Sequence, residues 1–512
     1  MLEEEEMDKI YYKTYPPFLH TLFNMSLKGI PVDTEKLKDI GEHIQQDLDE
    51  LLYKMIEITG VEFEPSSRQH LCQLLFGYSE GFKTPRTDLL DKSFHFPIQG
   101  TTKTGQPQTG VEVLKYLAKN PKKYTSKRKL EGIEVCKLLI EYSKLDKLKT
   151  SFVDGIFKTI YDDGKCHPQY QPVGTDSGRI SCSKPNLMQL PNADEEEDKY
   201  LIRDCFIGSV DENTGKRNHI ISIDYSNLEV RVMAHFSQDE GLIKAFNEGK
   251  DLHGNTAKLM FRLACDANEV KKKYPDLRQQ GKVIAFLLQY GGSSYTLYDD
   301  LNKDGALDNM AKQVQECYDK GIPLPSELEP FKGCTKGKDI AQRLMDIYFE
   351  AFPGIARFMR SQKKYAHRHK YVYTLVQRKR RLPEIDSENF KVRGYNERLS
   401  INACIQGSGA DIMINAQNKI DGTIVRAPIS HDLAEKLYNN KLIIGSERLK
   451  ELKCNMLVQI HDELLFECPE ENCEEAIQII RDYMINPFGE NVKLNLPLDV
   501  GAGHGLSYQN GH

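Results

Sequence analysis

The stretch from residue 218 to 236 constrains this chain more than any other. Ile221 and Ile223 alternate with Ser222 and Asp224, a period-2 pattern rich in β-branched residues that predicts a strand ending on a carboxylate. Leu228, Val232 and Phe236 then fall at helical spacing. Any fold containing this stretch needs a sheet with a helix leaving its edge. A strand that stops at an Asp and turns into a helix puts the carboxylate where a ligand can reach it. Asp is also a favoured helix N-cap, and the junction alone does not separate the two roles.

At 512 residues the chain exceeds one ordinary core, so several domains or one multi-lobed enzyme are expected. Apolar residues at 39% and charged residues at 28% exclude the disordered class. A net charge of -6 speaks mildly against nucleic acid, but binding follows the local charge distribution rather than the total. Acid is concentrated at Glu3 to Glu6 and Asp194 to Asp198. Basic runs stand elsewhere, at Lys122-Lys123, Lys127-Arg128-Lys129, Lys271 to Lys273 and Arg378 to Arg381.

The 12 cysteines are scattered without a C-x-x-C pair. Cys468 and Cys473 are the closest two and have no His-Cys partner cluster nearby in sequence, so neither a zinc site nor a disulfide framework is expected. No apolar run approaches the roughly 18 residues of a membrane span. The acidic start, Met1-Leu-Glu-Glu-Glu-Glu, has the wrong charge for a signal or transit peptide. The expectation is a cytoplasmic protein with no membrane partner.

Residues 17 to 60 read as two helices separated by the turn Gly29-Ile-Pro-Val-Asp33-Thr, with Asp33 or Thr34 as cap. A further helix follows Ser66. Residues 77 to 108 carry few helical signals, and 110 to 150 return to helix with many lysines. That basic arm could track a phosphate backbone or be a solvated face. Residues 166 to 191 form a long loop studded with Gly, Ser, Arg and Asn, more often functional than filler. Residues 241 to 394 are mostly helical with a polar insertion at 303 to 338, and a second insertion spans 421 to 452.

Two further constellations carry chemistry. Met456-Leu-Val and Leu464-Leu-Phe flank the polar tip His461-Asp462-Glu463, a hairpin signature without the usual Asn-Gly turn. Adjacent carboxylates at a tight turn repel, a cost that a divalent cation or plain solvation would relieve. Arg278, Lys282, Phe286 and Tyr290 recur every four residues and share one helical face, ended by Gly291-Gly292. Two cations followed by two aromatics suit a triphosphate beside a base. Snorkelling cations beside core aromatics would look the same.

Taken together, Asp224-Tyr-Ser-x-x-Glu229-x-Arg231, Arg278-x-x-x-Lys282-x-x-x-Phe286-x-x-x-Tyr290-Gly291 and Gln459-x-His461-Asp462-Glu463 closely resemble the polymerase motifs of family A DNA polymerases, the bacterial DNA polymerase I type. Thr175-Asp-Ser-Gly178-Arg179, continuing to Asn186, looks like the family's template-primer loop. Arg203-Asp-Cys-Phe206, Asp251-Leu-His253, Phe352-Pro-Gly, Arg398-x-x-x-Asn402-x-x-x-Gln406 and Val500-Gly-x-Gly503 match further landmarks. The resemblance runs from about residue 17 to the end and is thin between 34 and 170.

It implies an α+β right-hand fold with an antiparallel-sheet palm, helical thumb and helical fingers. After an N-terminal leader at 1–16, the thumb would be mainly 17–150 and the first part of the palm 151–240. The fingers would be 241–394 and the second part of the palm 395–512. The implied function is DNA-directed DNA synthesis in replication or repair, extending a primer 3′-hydroxyl on primer-template DNA with dNTPs and releasing pyrophosphate. Asp224, Asp462 and the backbone carbonyl of Tyr225 would hold two Mg2+, with Mn2+ as a substitute and Glu463 as an accessory carboxylate. Arg278, Lys282 and His253 would neutralise the triphosphate, with Lys282 protonating pyrophosphate. Phe286 and Tyr290 would pack on the nucleotide and the template base, and Glu229 would exclude a ribose 2′-hydroxyl. Arg179, Asn186, Arg398, Asn402, Gln406 and His461 would contact DNA, checking pair shape through minor-groove acceptors.

Departures from the family pattern are Ala285 for Asn, Leu287 for Gly, Met188-Gln189 for Gln-Asn and Gln377 for Gly. Each bears on fidelity and closing dynamics rather than on a charged catalytic group. No 3′-5′ exonuclease domain is expected within the chain, which would act as a monomer. A phage-type split system, in the host cytoplasm, would supply exonuclease or processivity activity on a separate subunit. The alternatives are a single-subunit RNA polymerase-like nucleotidyltransferase, against which Glu229 argues, and an HD-type metal phosphohydrolase drawn from His431-Asp432 and His461-Asp462. A non-catalytic DNA-binding scaffold would not need Asp224, Lys282 and Asp462.

Overall fold

The computed structural model describes residues 7–119, 124, 126–191, 200–302, 305–421, 445–489 and 492–511. The acidic runs Glu3 to Glu6 and Asp194 to Asp198, the pair Lys122-Lys123, His431-Asp432 and most of the second insertion lie outside them.

The period-2 stretch forms a strand, His219–Tyr225, inside a four-stranded antiparallel sheet. Its neighbours are the C-terminal strand Val500–Gly505 and Glu463–Cys468, which in turn pairs with Asn455–Ile460. The expected hairpin is therefore present, and its turn is His461-Asp462. His461 supplies the left-handed residue that the sequence lacked as Asn-Gly, with φ 54°. An α+β architecture with an antiparallel sheet follows, as expected.

Alternation along the central strand sends side chains into two different cores. Ile221, Ile223 and Tyr225, with Leu464 and Phe466, join the largest core beneath helices Leu228–Ser237, Phe390–Asp421 and Cys473–Ile485. Ile220, with Val458 and Leu465, faces Leu37, Ile40, Ile44 and Leu48 of helix Thr34–Thr59. Both faces are covered, which is why so much of the strand is apolar. Asp224 lies on the face shared by Ile220 and Ser222, at the last turn of the pleat before the sheet ends.

Helix Thr34–Thr59 starts where Asp33 accepts a hydrogen bond from Lys36 N and stops at Gly60, φ 73°. The preceding helix runs Asp8–Lys28 with Pro16 and Pro17 inside it, so the expected boundary after residue 16 falls within a helix. The basic arm is helical as Val111–Ala118 and Lys127–Lys147, and it encloses a third core with Leu71, Leu74, Phe94 and Leu139. The loop of 166 to 191 contains the paired strands Gln169–Gln171 and Ser181–Ser183. The region from 241 to 394 is helical except for a small ribbon, Tyr371–Tyr373 with Lys379–Arg381, and its polar insertion contains helix Ala306–Asp319.

Candidate active site

Helix Leu228–Ser237 begins three residues after the strand ends, and its N-cap is Asn227 rather than Asp224. The capping role open to Asp224 in the sequence is therefore not the one it fills. Register places Asp224 directly opposite Glu463, with Tyr225 N donating 3.3 Å to the Asp462 carbonyl. Three carboxylates thus gather at one end of the sheet. Burial, then Asp462, then Glu463 push the Asp224 carboxyl up to about 7.

Glu463 does not stand at the turn tip as its sequence position implied. It is the first residue of a strand, 6% exposed, and points inward. Its oxygens accept from Ser222 Oγ at 2.5 Å and from Tyr508 OH at 2.6 Å. A one-residue step along a strand reverses the face, so Asp462 and Glu463 diverge although adjacent. The Arg203 guanidinium lies over the Tyr508 ring at 4.7 Å, and its charge lowers the Asp224 carboxyl against the stronger upward influences. Ser222 and Tyr508 were not legible as site residues. Arg203 stood in a matched landmark, but nothing in the sequence tied it to Asp224.

Arg179 closes this group from the long loop. Its guanidinium pairs with Glu229 and lies 3.7 Å from Asp462 Oδ1. Glu229 is 9% exposed, and burial raises its carboxyl while Arg179 lowers it. The loop itself is clamped. Arg380 Nη2 and Tyr395 OH donate to Asp176 at 2.7 and 2.8 Å, and Arg378 donates to the Gly407 carbonyl at 3.0 Å and to the Ser177 carbonyl at 3.4 Å. Arg378 is in turn held by the buried Asp411 at 2.7 Å. A side chain at Gly178, φ 86°, would collide with the Arg378 guanidinium.

The cationic-aromatic stripe lies on helix Pro275–Gln289, with Tyr290 as C-cap. Phe286 stacks with Tyr290 at 6.3 Å and contacts the His253 ring at 5.6 Å. Lys282 is exposed, whereas Arg278 is bound to the Asp251 carboxylate. Burial and the neighbouring Arg278 and Lys282 push the His253 imidazole down to about 4. With no anion bound, His253 is therefore neutral near pH 7. The helix approaches His253 closely because residue 281 is Gly; a Cβ there would sit 2.7 Å from the His253 carbonyl oxygen and 2.8 Å from Ala257 N. Val230, from the helix after Asp224, shares a small cavity with His253 and Phe286.

Of the remaining expected residues, His461 lines a small cavity with Arg179 and Asp462, and Arg398 lies beside Gly291. Arg398, Asn402 and Gln406 follow one another along helix Phe390–Asp421, while Asn186 and His461 are exposed. Asn402 Oδ1, Gln459 Oε1 and His253 Nδ1 are buried without a hydrogen-bond partner among the described residues. Buried polar atoms are rarely left so. No hydrogen bond or ion pair joins the carboxylate group to the stripe among the described residues. Val230, which shares one core with Ala285 and Leu288 of the stripe's helix, lies between them in sequence and packing.

The carboxylates gather at the end of one strand, and the cations and aromatics lie along one helix. Comparison with known proteins gives the chain a family. The model of DNA polymerase family A matches residues 34–323 and 332–510. DNA polymerase I of Bacillus caldotenax is 29% identical over 510 residues, covering 99% of this chain and 47% of that protein. DNA polymerase I of Bacillus subtilis (strain 168) is 30% identical over 508 residues, covering 99% and 46%. Among solved structures, the POL domain of Pol1 from M. smegmatis, in complex with DNA primer-template and dNTP, superposes with a TM-score of 0.73 at 27% identity. That likeness covers 100% of this chain and 72% of the other.

The chain belongs to DNA polymerase family A and has the fold of that family's polymerase domain. It spans about half the length of the curated relatives it matches. Among the described residues no helix is long and apolar enough to cross a membrane.

Proposed function

We propose that this chain is a DNA-directed DNA polymerase that adds dNTPs to a primer 3′-hydroxyl and releases pyrophosphate. The observation that carries the reading is the like-charge cluster at the sheet end, where Asp224 is held at about 7 by burial and by Asp462 and Glu463. A buried carboxylate forced so high is a poor structural element and a good cation ligand. The donor set fits Mg2+, a hard cation that prefers oxygen. Asp224, Asp462 and the Tyr225 carbonyl would hold two such ions. Glu463, already engaged by Ser222 and Tyr508, would contribute negative potential and rigidity rather than a ligand. When bound, the ions supply acidity to the primer hydroxyl and charge balance to the leaving pyrophosphate.

The chain's own residues do the rest. Lys282, exposed on its helix, meets the triphosphate and gives a proton to departing pyrophosphate. Arg278 shares its guanidinium between Asp251 and the phosphates. Neutral His253 acts as a hydrogen-bond donor rather than a charge. Phe286 and Tyr290 form an aromatic wall for the incoming base. Glu229, buried and anchored by Arg179, presents a fixed obstacle to a 2′-hydroxyl. Arg179, Asn186, Arg398, Asn402, Gln406 and His461 line the path of primer-template DNA. The assignment of thumb, palm and fingers to 17–150, 151–240 with 395–512, and 241–394 belongs to the same proposal.

Primer extension with Mg2+ and dNTPs tests it, with Asp224→Ala as the control. Wild type extends the primer and the variant does not, while both bind primer-template, because phosphate contacts dominate that affinity. Normal extension by Asp224→Ala would remove the basis of the proposal.

A further inference from the structure

The strand that carries Asp224 begins at His219, five residues and about 17 Å away along the sheet. That far end gathers a different set of groups. His504 comes from the neighbouring C-terminal strand, and Cys473 opens helix Cys473–Ile485. One ligand atom each from His219, Cys473 and His504 lies within 4.8 Å of the others. The two Nδ1 atoms are 2.9 Å apart. Cys473 is fully buried, and the two imidazoles are half-buried at the sheet edge. Sequence spacing concealed this cluster, since its members stand at 219, 473 and 504.

We propose that His219, Cys473 and His504 form a binding site for one zinc-class divalent cation. Two imidazoles and a thiol are the donors that this class of metal selects over Mg2+, and three protein ligands leave a fourth position to solvent. Tetrahedral ligation with metal–nitrogen bonds near 2.0–2.1 Å sets nitrogens roughly 3.3 Å apart, so the pair would open by only a few tenths of an ångström. Glu474 supplies the second observation: its Oε1 lies 3.2 Å from His504 Nε2. A carboxylate on the outer nitrogen is the usual companion of a metal-ligating His, because it holds the Nε2–H tautomer and turns the Nδ1 lone pair inward. A proton shared between the two Nδ1 atoms occupies that place when no cation does. The cation would tie the central strand, the C-terminal strand and the helix over it at one point, far from Asp224. This inference does not depend on the polymerase reading.

The full-length protein, stripped with chelator and kept reduced in excess Mg2+, is titrated with Co2+ and then with Zn2+. One Co2+ per chain should bind with a thiolate-to-cobalt charge-transfer band that Zn2+ abolishes. Cys473→Ser should lose the band, and Glu474→Gln should weaken binding about 10–100-fold. Asp224→Ala should keep the band unchanged. Absence of the band in wild type, or its survival in Cys473→Ser, overturns the proposal. Circular dichroism checks folding. Should Cys473→Ser not fold, the double variant His219→Gln/His504→Gln, which retains the thiol, takes its place and must lose the band.

Discussion

Replacing Asp224 by Asn should stabilise the metal-free protein, and more so at high pH. The displacement of this carboxyl from 3.8 to about 7 corresponds to about 4 kcal/mol. Solvent at the open edge of the sheet screens part of it, leaving about 2–4 kcal/mol. Between those two pH values the folded protein retains a proton that the unfolded chain has released, so wild-type stability falls as pH rises through the window. The penalty is absent below 3.8 and complete above about 7. Asn carries no charge and escapes it. Thermal unfolding of both proteins in chelator at pH 5 and pH 8 is the assay. With an unfolding entropy of about 2.1 cal/mol/K per residue over 512 residues, the gain at pH 8 is about 2–4 °C if the chain melts as one unit. It should be larger if a smaller unit melts, and less than half as large at pH 5. Excess Mg2+ at pH 8 should raise the wild type more than the variant, since a ligand stabilises only the form that binds it. An Asn variant melting at or below wild type at pH 8, or gaining equally at both pH values, would refute the account of Asp224.

Gly281→Ala should lower stability by about 1–3 kcal/mol and slow primer extension, because the new Cβ would meet the His253 carbonyl and Ala257 N; melting and steady-state kinetics check both. Tyr508→Phe removes a donor from buried Glu463 and should cost about 1.5–3 kcal/mol, measured by denaturant unfolding. Phe286→Tyr should raise dideoxynucleotide incorporation in a chain-termination assay, and an unchanged termination pattern would count against the nucleotide-wall role of residue 286.

Local pattern was legible wherever one element produced it. The strand bearing Asp224 near its end, the hairpin around His461-Asp462, the Asp33 cap and the stripe from Arg278 to Tyr290 all follow from spacing within a few residues. Orientation was less legible. Glu463 was read beside Asp462 as a second carboxylate at the tip, and the pleat turned it inward to Ser222 and Tyr508. The charge of His253 is not legible in its spacing either, since burial and then the neighbouring Arg278 push its imidazole down.

The sequence alone determined which side chains are available and which neighbours along one strand or helix share a face, because periods of 2 and 3.6 are properties of the backbone. Tertiary structure decided everything that depends on distance between elements. It joined Asp224 to Asp462 and Glu463, bound Arg179 to Glu229, clamped the 175–179 loop through Arg378 and Asp411, and closed His219, Cys473 and His504 into one cluster. Charge, protonation and metal affinity depend on burial and on groups within a few ångströms, and chain spacing does not encode those quantities.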